Sequence, residues 1–288
     1  VFAIIKIRER NQIALREYLE QQLDERTREV INQKEEIEVK NRDITDSINY
    51  AQRIQASILP PIQRLHHTFS ESFVFYQPRD IVSGDFYWYD KLDDERFMIV
   101  CADSTGHGVP GAFMSMIGTT LIKDICLRPG VNTPSDVLST LDEEVRTALN
   151  QNQETDGSND GMDIIVAEVN LKTHRFTVSS AMRPIIVYKG GEQIYVKGSR
   201  SSVGGQLDDT RMEKTFINEE FDLNKGDIIY MFSDGYPDQF GGPLGRKFKM
   251  VRLKNLLRDI HGKPMDEQYN YVKSNFFLWK DDLEQVDD

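Results

Sequence analysis

Three aspartates stand where apolar sequence meets small residues. Phe97-Met98-Ile99-Val100-Cys101-Ala102 stops at Asp103, and Ser104-Thr105-Gly106-His107-Gly108 follows. Far down the chain, Ile228-Ile229-Tyr230-Met231-Phe232 runs in the same way into Ser233, Asp234 and Gly235. Asp85 follows Gly84 between Ile81-Val82 and Phe86-Tyr87-Trp88, and the chain closes on Asp287 and Asp288. One such Asp caps a helix or an Asx turn. Several of them brought together would repel one another, and burial without partners is costly, so their convergence requires cations. Carboxylates with no His or Cys beside them form hard oxygen sites, suited to Mg²⁺ or Mn²⁺ rather than Zn²⁺. Gly106, Gly108 and Gly111 would let the backbone approach an ion or an oxyanion, just ahead of a helix whose N-terminus favours negative charge. His107 has no Ser-His-Asp or Cys-His set around it and reads first as a turn or packing residue.

Such acids need rigid strands behind them. Apolar, β-branched and aromatic runs predict strands at 73–76, 86–89, 97–102, 163–169, 175–179, 185–188, 193–196 and 228–232, most of them punctuated by Gly, Asn or Asp. Helical stretches fall at 112–127, 134–150, 246–260 and 265–278. Strands in groups with helices in pairs between them point to an α+β fold, sheet packed on sheet and helices outside. Phe86-Tyr87-Trp88-Tyr89 reads as strand core before it reads as a stacking platform.

The first part of the chain is of another kind. Residues 13–58 contain neither Gly nor Pro and are rich in charge, which predicts one long helix ended by Leu59-Pro60-Pro61. Spacing of four then three runs through Leu23, Thr27, Val30, Lys34, Ile37, Asn41, Ile44, Ile48, Ala51, Gln55 and Ile58, a mostly apolar heptad seam. With Leu23 at d, the polar members fall at a, where they cost stability but fix register and favour two strands. We expect a parallel coiled-coil homodimer through residues 13–58; the alternative is an amphipathic helix lying on the domain that follows. Val1-Phe2-Ala3-Ile4-Ile5 before Lys6, Arg8 and Arg10 reads equally well as the cytoplasmic end of a membrane helix or as an ordinary helix start, so a cytoplasmic location is expected, under the first reading as the cytoplasmic part of a membrane-anchored sensor.

The chain has 288 residues, 39% of them hydrophobic, enough to bury a sizeable core. A formal net charge of −12 argues against nucleic-acid binding and disfavours a nuclease. Cys101 and Cys126 lack metal-finger spacing and read as buried free thiols of a reducing compartment.

With these residues in hand the chain resembles the metal-dependent serine/threonine protein phosphatases, in the SpoIIE-like bacterial branch. The resemblance covers roughly residues 50–288 through AQRIQASILP, RDIVSGDFYWYD, DSTGHGVPGAFMSMIG, NDGMDI, SVGG, FSDGYPDQFGG and the closing QVDD. Several long motifs in one order are specific, whereas Gly-His-Gly alone would be weak. The resemblance implies a four-layer α-β-β-α sandwich of two antiparallel sheets, with two Mn²⁺ or Mg²⁺ at one end. Residues 1–58 would be the helical linker, 59–71 a connection and 72–288 the phosphatase domain, whose last apolar strand the chain does not reach.

By motif, Asp103 is similar to the family's carboxylate that bridges both ions, with the Ser104 carbonyl beside it. Asp85 matches a ligand of one ion, Asp234 and Asp287 ligands of the other, and Asp160 and Asp163 a possible additional site. The implied reaction is hydrolysis of phosphoserine or phosphothreonine by a metal-activated water, with Asp103 and Asp85 central to it and no phospho-enzyme. The implied partner is a phosphorylated signalling protein, for instance an anti-sigma-factor antagonist. The N-terminal helix would carry a signal from an upstream sensor, through residues 43–58 onto the helix at 112–127. Met182 in Ala-Met-Arg-Pro stands where many relatives carry Asn or another polar residue. A rival reading keeps the coiled coil and makes the second domain a phosphoprotein binder without hydrolysis.

Overall fold

The computed structural model describes residues 2–151, 159–205 and 214–288. Two compact units divide the chain, residues 1–50 and residues 51–288.

The first unit lies within helix α1 (Phe2–Ile58). Ion pairs one turn apart line it, Arg16 with Glu20, Arg26 with Glu29, Lys34 with Glu38 and Lys40 with Glu36, each adding a few tenths of a kcal/mol to an isolated helix. The seam residues Leu23, Val30, Ile37 and Ile44 are exposed by 57–66%. Among the described residues, no helix is long and apolar enough to cross a membrane.

The second unit takes the last turns of α1. It continues with α2 (Ile62–Thr68), β1 (Asp85–Lys91), β2 (Arg96–Ser104), α3 (Gly108–Ile125), α4 (Pro134–Ala148), β3 (Gly161–Asn170), β4 (Arg175–Ala181), β5 (Ile185–Lys189) and β6 (Glu192–Val196). After these come β7 (Val203–Gly204), β8 (Glu219–Asp222), β9 (Ile228–Met231), α5 (Gly235–Asp238), α6 (Lys249–Ile260) and α7 (Met265–Lys280), with a small ribbon before α6. The larger sheet has the order β1-β2-β3-β4-β8, with β7 added on β3, and the smaller has β6-β5-β9. All the strand pairings are antiparallel.

Alternation of side chains along the central strands builds three cores in series. On β3, Met162, Ile164 and Val166 pack under α3 and α4 against Met114, Ile122, Leu138 and Leu141. Ile165, Ala167 and Val169 turn the other way and meet Ile185 and Val187 of β5 between the sheets. Ile186 and Tyr188 of β5 in turn face Leu253, Leu256 and Leu257 of α6 and Val272 of α7. Full burial of each large apolar side chain contributes about 1.5–3 kcal/mol. The layers are therefore α3/α4, large sheet, small sheet and α6/α7, the four-layer sandwich expected from the sequence. Helix α4 begins with a capping box, Thr133 with Asp136, and with Pro134 at its first turn.

The predicted strand at 73–76 is a correction: this segment joins no ladder. Its period-2 pattern reflects two cores, because Phe73 and Phe75 pack on the α6/α7 side whereas Val74 joins Leu65, Tyr89 and Phe97. Strand β8, which the sequence reading passed over, is Glu-Glu-Phe-Asp at the edge of the large sheet, where acidic side chains can stay in water.

Candidate active site

The strand register places three aspartates in one row. Asp85 of β1 is paired with Asp103 of β2, and Asp103 with Asp163 of β3. Directly opposed residues hold their Cβ atoms about 4.5–5.5 Å apart, and like charges so placed repel. Asp234 follows β9 at the start of α5, and Asp287 joins from the end of the described chain.

Burial pushes the Asp103 carboxyl up to about 8, with Asp234 and Asp287 adding repulsion that the Arg183 guanidinium partly offsets. Burial also raises Asp85 well above the ordinary range, repulsion from Asp103 adds to it, and a hydrogen bond from Ser233 opposes the shift. Asp287 is raised by burial and by Asp234, against a bond from the Asp288 amide at 3.0 Å. The common cause is a set of acids held out of water without enough positive charge.

Arg183, on the β4–β5 connection, meets three of these acids. Its Nη2 is 2.6 Å from Asp103 Oδ2 and 3.1 Å from Asp163 Oδ2, and its Nη1 is 2.6 Å from Asp234 Oδ2. Among the described residues, no ion pair reaches Asp85 and no group of three carboxylate, imidazole or thiol side chains stands in ion-holding geometry. Nothing in the reading of the sequence had singled out Arg183; its one signal was a strand-ending arginine fixed between Met182 and Pro184.

The surroundings hold the acids in place. The Asp288 carboxylate accepts from the amides of Arg79 at 2.8 Å and Gly84 at 2.6 Å, tying down the loop that delivers Asp85. Ser83 Oγ accepts from the Asp85 amide at 3.0 Å, and Tyr76 donates to the Asp85 carbonyl at 3.2 Å. The glycines act through close packing of backbone on backbone. A Cβ on Gly111 would lie 2.3 Å from the Gly106 carbonyl oxygen, and one on Gly84 2.5 Å from that same oxygen.

A second group lies behind this loop. Gln55, buried on the last turns of α1, donates from Nε2 to the Ser83 carbonyl at 2.6 Å and to Ser115 Oγ of α3 at 2.8 Å. Its Oε1 accepts from the Ser83 amide at 3.1 Å. The heptad reading had placed Gln55 on the dimer seam.

Asp85, Asp103, Asp163, Asp234 and Asp287 are thus brought together, with the backbone of Ser104 next to Asp103. Asp160 is apart from them: it is exposed and accepts from Thr105 Oγ1 at 3.2 Å. His107 is exposed and pairs through Nδ1 with Asp80 at 3.1 Å.

Residues 93–285 match the family described as Stage II sporulation protein E (SpoIIE). The solved SiaA-PP2C domain of Pseudomonas aeruginosa is 29% identical over 86% of this chain and 94% of that one, with a TM-score of 0.76. The PP2C phosphatase domain of SpoIIE from Bacillus subtilis, with a fragment of its regulatory domain, shares the fold at 19% identity and a TM-score of 0.56, covering 72% of this chain and 55% of that one. The RsbU and RsbW domains of a Mycobacterium tuberculosis protein do so at 22% and 0.53, covering 68% and 51%. No curated protein matches the sequence. Residues 51–288 form a PP2C-like phosphatase domain. The chain belongs to the SpoIIE family.

Proposed function

We propose that the chain hydrolyses phosphoserine or phosphothreonine on a signalling protein, using two Mn²⁺ or Mg²⁺ ions held by Asp85, Asp103, the Ser104 carbonyl, Asp234 and Asp287. The observation that carries this reading is the row Asp85, Asp103 and Asp163, joined by Asp234 and Asp287, with one guanidinium as its cation. A set made only of carboxylate and carbonyl oxygens suits hard divalent ions. Bound ions would supply a nucleophilic water at neutral pH and would stabilise the charge that develops on the phosphoryl oxygens. The chain's own part is to hold Asp103 centrally on β2, to orient Asp85 through Ser233, and to fix the Asp85 loop through Asp288. Mn²⁺-dependent phosphate release from an aryl phosphate and from a phosphoserine protein tests this; turnover that survives Asp103→Asn would sink it.

One observation favours the rival reading of phosphoprotein binding without hydrolysis: Arg183 sits among the acids. The same assay separates the two. An anti-sigma-factor antagonist as substrate rests on the family resemblance.

Regulation from the N-terminal helix is supported by Gln55, which bonds at once to the Asp85 loop and to α3. Homodimerisation is supported by the exposed stripe of Leu23, Val30, Ile37 and Ile44.

A further inference from the structure

Among the described residues, Arg183 is the cation that forms ion pairs with the acids of the site. Arg183 is mostly buried, its side chain 17% exposed, and its Nη atoms bond only to Asp103, Asp163 and Asp234 among the described carboxylates. Its Nε is buried with no hydrogen-bond partner among the described residues, so the guanidinium is held by the acids alone and forgoes one bond to stay there.

The backbone beneath it is firmly anchored. The Met182 amide donates to the Ser199 carbonyl at 3.0 Å, the Arg183 amide to the Ala181 carbonyl at 2.8 Å, and Ser180 Oγ donates to the Arg183 carbonyl. A Cβ on Gly198 would fall 2.8 Å from that carbonyl oxygen. Met182 itself takes a left-handed φ of 66°, which a bulky residue adopts only when its surroundings impose it. The main chain is fixed while the long side chain above it rotates about single bonds.

We infer that Arg183 is a built-in counter-cation that competes with divalent ions for these carboxylates. This rests on the reading that the acids hold such ions. The Oδ2 atoms of Asp103, Asp163 and Asp234 face the guanidinium, and an oxygen lone pair given to an N–H is not available to an ion. Ion binding is therefore an exchange: the guanidinium withdraws into solvent and the ion takes its oxygens. The exchange lowers apparent ion affinity, and it offsets part of the acids' charge whenever no ion is bound.

The test is calorimetric titration of the chelator-treated full chain with Mn²⁺, comparing Arg183→Met, Arg183→Gln and Arg183→Lys with the parent. The expected result is about ten-fold or greater tightening in the Met and Gln variants, with Lys intermediate. Their melting temperatures without ions should fall below the parent's and should rise further on saturation with Mn²⁺. Equal or weaker Mn²⁺ binding in a folded Met or Gln variant overturns the inference and leaves the phosphatase reading standing. Absence of Mn²⁺ binding in the parent and in every variant overturns both. A second readout keeps the matter decidable if a variant does not fold: in the parent, Mg²⁺ should shift the Arg183 Nε–H resonance, and an unmoved resonance at saturating Mg²⁺ refutes the exchange.

Discussion

Asp85 and Asp103 are directly opposed across β1 and β2, two carboxylates in one antiparallel pair with no basic side chain contacting the first among the described residues. Pairs of this kind destabilise a sheet and persist where function needs them. We therefore expect Asp85→Asn to abolish Mn²⁺-dependent phosphate release while raising the melting temperature of the chelated protein, at roughly 2–4 °C per kcal/mol recovered. Scanning calorimetry alongside the phosphatase assay checks both halves.

The Asp103 carboxyl, ordinarily near 3.8, is pushed up to about 8 in the folded chain, chiefly by burial. Between those values the folded protein holds a proton that the unfolded chain has released. The stability contributed by this group is complete below about pH 4 and is lost as pH rises towards 8. Urea denaturation in chelator at pH 5 and pH 8 should show the parent losing more stability over that interval than Asp103→Asn. An identical loss in both proteins would assign the effect elsewhere.

Gln55 makes three bonds in a buried setting. Gln55→Leu leaves the Ser83 amide and carbonyl without that partner, at a cost of about 1–3 kcal/mol. Because Ser83 lies in the loop that delivers Asp85, phosphatase activity should fall by more than the stability loss accounts for, and excess Mn²⁺ should recover part of it. A variant with lower stability but unchanged activity per folded molecule would limit Gln55 to packing.

Gly111→Ala drives a methyl to within 2.3 Å of the Gly106 carbonyl oxygen and 2.9 Å of the Gly84 Cα, so both loops must shift. Activity should be lost even where circular dichroism shows the fold intact. Gly190→Ala, at a turn where a Cβ meets nothing within 4 Å, serves as the control; its φ of 58° carries a modest strain of its own.

Sedimentation of the full chain should give a dimer, and removal of residues 1–50 a monomer that keeps its melting temperature. Truncation at residue 50 leaves Gln55 and its bonds in place. A monomer in both forms would remove the coiled-coil claim.

Most of the sandwich was legible because its strands alternate cleanly, and β3 shows why: its even and odd residues serve different cores. Residues 73–76 misled for the same reason, since alternation reports two apolar faces and not a hydrogen-bonded neighbour. Asp103 and Asp234 announced themselves by ending apolar runs. That Asp163 stands in their row required the register of β2 on β3, which side-chain pattern alone does not supply. Arg183 and Gln55 escaped because each is polar, lone in its stretch, and given meaning only by residues distant in sequence. For Gln55 the heptad offered a competing explanation that was locally sufficient.

The carboxamide of Gln55 copies a peptide group: it gives and accepts at Ser83 as a neighbouring strand would, yet it projects from a helix. Turning that helix by one residue, about 100°, would carry the amide off its partners and bring no equivalent group in its place. The grip of α1 on the Asp85 loop therefore depends on rotational phase, engaged at one angle and disengaged at others, and under the regulation proposed above that phase is what the helix would transmit, much as a key bit meets a single ward.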